Sequence, residues 1–149
     1  MGMYTELDIA VVFNAETPVG VIDLISYMAR PAKEGDTTKA PPLLDHPLFG
    51  TDRWNWMLRS GGSYYFSGKP SLTWVKDTIN HFWYLTLRTN IKNYTSEWEH
   101  FLSFIAPHVE EGWIGTYRYE EEPAPTLVWI KNKTVHMQTV KVPKEIQET

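Results

Sequence analysis

HFWYLTLRTNIK, residues 81–92, is the stretch on which the fold turns. Trp83, Leu85, Leu87 and Ile91 point one way, and Phe82, Tyr84, Thr86, Arg88, Asn90 and Lys92 the other. Alternation this long, rich in aromatic and β-branched side chains, predicts a central strand with one buried face. Just upstream, Ser67-Gly68-Lys69-Pro70 is a turn between short strand-like runs at 63–66 and 72–75, which are expected to pair as a hairpin. Just downstream, Ser96-Glu97-Trp98-Glu99 reads as a capping box. Trp98, Phe101, Leu102 and Ile105 repeat behind it at helical spacing, which predicts a helix over 96–106 that Pro107 ends.

Further out, the N-terminal run alternates as well, with Leu7, Ile9, Val11 and Phe13 on one face and Glu6, Asp8 and Ala10 on the other. Thr17 is the expected N-cap of a helix over 17–30, with Pro18 at its first position and Val21, Ile22, Ile25, Met28 and Ala29 on its buried side. Residues 31–44, PAKEGDTTKAPPLL, have no period and read as an exposed loop with a flexible tip. At the other end, segments 113–120, 126–131 and 134–142 alternate between turn sequences and predict an antiparallel meander, followed by a frayed polar tail over 143–149.

The resulting expectation is one α+β domain over 1–149 with a mostly antiparallel sheet and both helices on one face. Its plan is the ferredoxin-like split β-α-β, extended by a C-terminal hairpin. Leu7, Ile9, Val11, Trp83, Leu85, Leu87, Trp98 and Ile105 should share one core. The other sheet face is left to solvent or to a partner. Seven Trp, eight Tyr and six Phe exceed what two helices need to cover one face, which points to a homodimer or a protein partner.

Composition closes several functions. A formal charge of -4 argues against a protein that gains affinity by neutralising phosphates, so no nucleic-acid role is expected. The absence of cysteine removes thiolate catalysis and Cys-based metal sites. Glu6 and Asp8 break the only apolar run near the start, so neither a signal peptide nor a membrane span is expected and the location is read as cytoplasmic. There is no P-loop, G-x-G-x-x-G, H-E-x-x-H or G-x-S-x-G. The five histidines have no ligand-pair spacing, so no metal and no cofactor is expected.

The candidate site lies in DHPLFGTDRWNWMLRSGGSYYF, residues 45–66. Arg53, Trp54, Trp56, Arg59, Tyr64 and Tyr65, together with Tyr84 and Arg88 of the central strand, would offer guanidinium forks and ring faces to a small anionic or aromatic ligand or to a partner surface. The competing reading makes Trp54, Met57 and Leu58 core residues and Arg53 the partner of Asp52 or a helix end. A different function class, a small enzyme, would use Glu6 and Asp8 with Arg88 as an acid–base site on the open sheet face. A third is a structural, self-associating protein.

Four runs, the opening Met-Gly-Met-Tyr-Thr-Glu, His46-Pro47-Leu48-Phe49 through Ser63-Tyr64-Tyr65-Phe66, Asn90-Ile91-Lys92-Asn93-Tyr94 and Tyr117-Arg118-Tyr119-Glu120-Glu121, resemble a group of small uncharacterised proteins encoded by bacteriophages and prophages. The resemblance implies a phage source and a cytoplasmic accessory role during infection. It favours a non-catalytic binder of a host protein or a small molecule over a metabolic enzyme, and it supplies no catalytic residues.

Overall fold

The two long alternating runs become the interior of one sheet. The computed structural model describes residues 4–31, 33–61 and 69–147. Its elements are β1 (Tyr4–Phe13), α1 (Val19–Met28), β2 (Ser71–Lys76), β3 (Trp83–Lys92), α2 (Glu97–Ile105), β4 (Gly112–Tyr119), β5 (Thr126–Lys131), β6 (Thr134–Gln138) and a terminal turn of helix, α3 (Lys144–Gln147). The six strands form a single sheet in the order β2-β3-β1-β4-β5-β6, every neighbouring pair antiparallel. It follows that β1 runs parallel to β2 with β3 between them, and β3 parallel to β4 with β1 between them.

The predicted core forms as expected. Leu7, Ile9, Val11, Leu85, Leu87, Trp98 and Ile105 are buried in one cluster against which Trp83 packs. Both helices lie on that face: the Trp74 indole of β2 donates to Ser26 Oγ of α1 at 2.9 Å, and the Trp98 indole of α2 donates to the Thr5 carbonyl of β1 at 2.8 Å. These two hydrogen bonds satisfy polar groups that would otherwise be costly to bury. β5 and β6 turn through Asn132 and Lys133, whose φ values of 52° and 60° give the left-handed pair a two-residue hairpin requires.

Both helix starts depart from the sequence reading. Pro18, not Thr17, precedes the first turn of α1, and the Thr17 hydroxyl donates back to the Asn14 carbonyl at 2.8 Å. Ser96 takes a left-handed backbone (φ 57°) and makes no capping bond, so the expected box with Glu99 does not form. Asn93 Oδ1 accepts from Trp98 N–H at 2.9 Å and supplies the cap from outside the helix. The described residues of 31–44 form no helix or strand, yet Asp36 ties their middle down through Arg30 at 2.7 Å. Hydrogen bonds from Thr38 and then Arg30 hold the Asp36 carboxyl well below the usual carboxylate range. Within the tail expected to fray, Lys144–Gln147 form the single turn α3, and 148–149 lie outside the described residues. The 63–66 partner of the expected hairpin lies outside the described residues; β2 pairs with β3 along one edge.

Candidate functional site

In the 45–61 stretch the side chains singled out for binding are mostly engaged with their own chain. Arg53 Nη1 donates to Glu97 Oε2 at 3.1 Å, and its guanidinium sits 5.2 Å from the Tyr94 ring centre. Glu97 is fully buried. Burial alone would raise its pKa, but the bonds from Thr95 and Arg53 outweigh it and the pKa is lowered. Trp54 packs edge-on against Phe49, centroids 5.0 Å apart, and lies 5.9 Å from Tyr27. Arg59 Nη1 donates to the Pro31 carbonyl at 3.4 Å, and Nη2 lies 3.9 Å from Asp36. Met57 and Leu58 are core. Trp56 is 40% exposed. Tyr64 and Tyr65 lie outside the described residues. Arg53 therefore pairs with the first turn of α2 rather than with Asp52, and Arg59 fastens the 31–44 loop.

The sheet face away from the helices is different. Register sets Asp8 opposite Arg88, Glu6 opposite Asn90, and Glu6 opposite Arg118 on its other side. Arg88 Nε is 3.6 Å from Glu6 Oε1 and 3.9 Å from Asp8 Oδ2, too long for hydrogen bonds. Burial pushes the Glu6 carboxyl up, Arg88 pulls it partly back, and the Asp8 charge adds to the rise. Asn90 is buried, and its Oδ1 has no hydrogen-bond partner among the described residues. At this end of the face Asp8 and Arg88 are half exposed, whereas Glu6 and Asn90 are buried. Tyr84, half-buried, lies two places along β3 beyond Thr86, opposite Val12.

Further along the same face stands a row that sequence reading did not single out. Trp113 of β4, Trp129 of β5 and His136 of β6 are successive cross-strand partners, and the two indoles are 58% and 38% exposed. The Trp113 indole N–H donates to the Gly115 carbonyl at 2.9 Å, which fixes the ring beside the strand. One cavity of about 380 Å³ opens beside Trp113, between Asp8, Thr86 and Thr116. A second of about 510 Å³ opens beside Trp129, between Glu111, Lys131, His136 and Gln138. Both fall in the size range of small-molecule sites.

A β-bulge explains why this row was hidden. Strict alternation puts Trp113 on the same side as Tyr117, which faces the helices. The register shifts between Trp113 and Gly115, so that Gly115 pairs with the core residue Val128 while Trp113 pairs with Trp129 on the open side. Gly115 permits this: its φ is 154°, and a Cβ there would collide with the Asp8 carbonyl oxygen and lie 2.8 Å from Cα of Ile9. Trp129 was legible, out of phase with the buried Val128 and Ile130; Trp113 was not.

One arrangement resembles a nucleophile beside a base. Ser103 Oγ lies 3.1 Å from His46 Nε2. His46 Nδ1, however, accepts from Leu48 N–H at 3.0 Å, which places the neutral ring's proton on Nε2. Nε2 then donates to Ser103, whose own proton goes to the His100 carbonyl at 3.0 Å. Burial and the neighbouring His100 lower the His46 pKa, which keeps the ring neutral. The imidazole cannot take a proton from Ser103 in this state, so the pair is structural.

Among the described residues there is no cluster of three metal-ligating side chains, and no helix is long and apolar enough to cross a membrane. No family model, curated protein or solved structure matches the chain.

Proposed function

We propose that this chain is a non-catalytic binding module of ferredoxin-like plan, and that its open sheet face takes a ring-bearing ligand carrying hydrogen-bond donors. The strand order β2-β3-β1-β4, with each helix bridging two parallel strands across an intervening one, supports the plan. The observation that carries the function is the exposed Trp113–Trp129 pair between two cavities. Such rings offer large, rigid contact area at small entropic cost. Among the described residues Asp8 is the one charged side chain lining the cavity beside Trp113, so a neutral or cationic ring is favoured there over an anionic one. The four runs that resemble small phage-encoded proteins support an accessory role of this kind.

The test is a titration of purified protein with neutral nucleosides, aromatic amides and pyranosides, each beside its phosphorylated or carboxylated counterpart. The proposal expects the neutral member of a pair to bind more tightly and Trp113→Ala with Trp129→Ala to abolish binding while the melting temperature changes little. Tighter binding of the anionic members, or binding that survives the double substitution, would contradict it.

One observation favours a second reading. Glu6 and Asp8 are neighbouring carboxyls in unequal environments, with Glu6 pushed up and Arg88 between them, as an acid–base pair requires. Multiple-turnover conversion of a bound ligand, lost in Glu6→Gln, would establish that reading.

A further inference from the structure

On the helix-covered side of the sheet, a cavity of about 250 Å³ lies where the loop before α2 meets β4. It is lined by Tyr94, Tyr117 and Tyr119, with Glu99, Asn93 and Thr5. We propose that this cavity binds a quaternary ammonium group. The site is separate from the open sheet face and does not depend on its function.

Two features carry the inference. The first is the lining: three tyrosines and one carboxylate in a space just below the usual range for whole drug-like ligands, about 300 Å³ and upward, suit a cationic headgroup rather than a larger molecule. A cation gains from the negative faces of aromatic rings, most where water is excluded. The second is how Glu99 is already used. Its Oε1 accepts from Asn93 Nδ2 at 2.7 Å and its Oε2 accepts from the Tyr117 hydroxyl at 2.5 Å. Among the described residues no Lys or Arg forms a salt bridge with it.

The guanidinium that lies against a lining ring, Arg53 beside Tyr94, is paired with Glu97 at 3.1 Å. Negative charge also lies close to the cavity's rim, where Glu120 and Glu121 act with burial to raise the Tyr119 hydroxyl's pKa.

These hydrogen bonds select the kind of cation. A primary ammonium has three N–H donors that need acceptors, and with Asn93 and Tyr117 each taking one lone pair the Glu99 carboxylate has only about two left to offer. A quaternary ammonium has no N–H donor. It would be held by the uncompensated charge of Glu99 and by the ring faces, with Asn93 and Tyr117 keeping the carboxylate fixed. A metal ion would need several anionic or imidazole ligands, and among the described residues Glu99 is the one carboxylate in a lining without histidine.

The decisive probe pair is choline and 3,3-dimethyl-1-butanol, its uncharged carbon isostere, titrated by NMR against the full chain. Choline should bind at least about tenfold more tightly than the isostere, the factor expected for a partly desolvated cation on rings beside a carboxylate. Glu99→Gln should remove that difference, and Tyr94→Leu, at a largely exposed position, should weaken choline several-fold without unfolding the protein. Nε-trimethyl-lysine amide and unmodified lysine amide form the second arm. Preference for the trimethylated form supports the site, and its affinity relative to choline separates a protein-borne from a small-molecule or lipid source. Equal binding of choline and its isostere, no choline binding, or preference for unmodified lysine would overturn the proposal. If Glu99→Gln does not fold, the isostere comparison on the wild-type chain and Tyr94→Leu still decide it.

Discussion

Arg53 and Arg88 each face carboxylates, Arg53 that of Glu97 and Arg88 those of Glu6 and Asp8, and the fold gives them opposite roles. Arg53 meets a fully buried Glu97 at hydrogen-bond distance, 3.1 Å, and the pair fastens the 45–61 segment to the start of α2. Arg88 stands 3.6 and 3.9 Å from Glu6 and Asp8 on the face opposite α1 and α2. A buried, closely bonded ion pair is committed to structure, because either partner left alone would be an unpaired buried charge. Arg88 and Asp8, both close to half exposed and beyond hydrogen-bond distance of each other, have hydrogen-bonding capacity left for a ligand. Residue type does not separate the two; burial and distance do.

The largest effect should come from breaking the buried pair. Arg53→Met leaves Glu97 uncompensated and should cost about 3–5 kcal/mol in urea unfolding, without changing ligand affinity per folded molecule. A loss below about 1 kcal/mol would place Arg53 with Arg88 among the loosely held groups.

Next is Gly115→Ala, which should cost at least about 2 kcal/mol because its Cβ has no room against β1 and its φ is unfavourable for alanine. A variant that still folds should bring Trp113 out of line with Trp129, visible as a change in its indole resonance. Stability and indole resonance both unchanged would mean that the bulge does not set the tryptophan row.

Arg88→Met should change stability by less than about 1 kcal/mol, as surface ion pairs do, while altering affinity for the open-face ligand. The contrast with Arg53→Met is the point of the experiment.

The smallest effect is electrostatic. Glu6 has a raised pKa in the folded state, so its protonated form is favoured by folding; its contribution is fully present below the unfolded value near 4.5 and is lost as pH rises through the folded one. Glu6→Gln should therefore stabilise the protein at pH 7, by less than about 1 kcal/mol, with the gain vanishing in acid. Glu97 has the opposite sign: its lowered pKa gives stability that is lost as pH falls through its folded value.

How much of this was legible in the sequence follows the same division. Period-two runs located β1, β3 and β5 because one face of each is buried, and the Trp98–Phe101–Leu102–Ile105 stripe located α2. The opposition of Glu6 and Asp8 to Asn90 and Arg88 was also readable, since antiparallel neighbours on one face follow from strand order. Three things were not. The left-handed backbone at Ser96 moved the helix cap to Asn93, and propensity does not report backbone handedness. Asp36 anchors a loop whose composition suggested mobility, because composition does not report that its carboxylate turns back to Arg30, just past α1, at 2.7 Å. The bulge before Gly115 turned Trp113 to the open face, and a one-residue shift in pairing cannot be seen from one strand alone. Composition drew attention to 45–66, where Arg and Trp are densest, although much of that density serves packing.

The central claim is that binding belongs to the open sheet face and not to the 45–61 stretch. It is tested most directly by recording the indole N–H resonances of all seven tryptophans while a neutral ring-bearing ligand from the panel is added. The Trp74 and Trp98 indoles, bonded to Ser26 and Thr5, serve as internal references. Shifts concentrated at Trp113 and Trp129, with Trp54 and Trp56 unmoved, are the predicted result; shifts at Trp54 and Trp56 with Trp113 and Trp129 unmoved would contradict it.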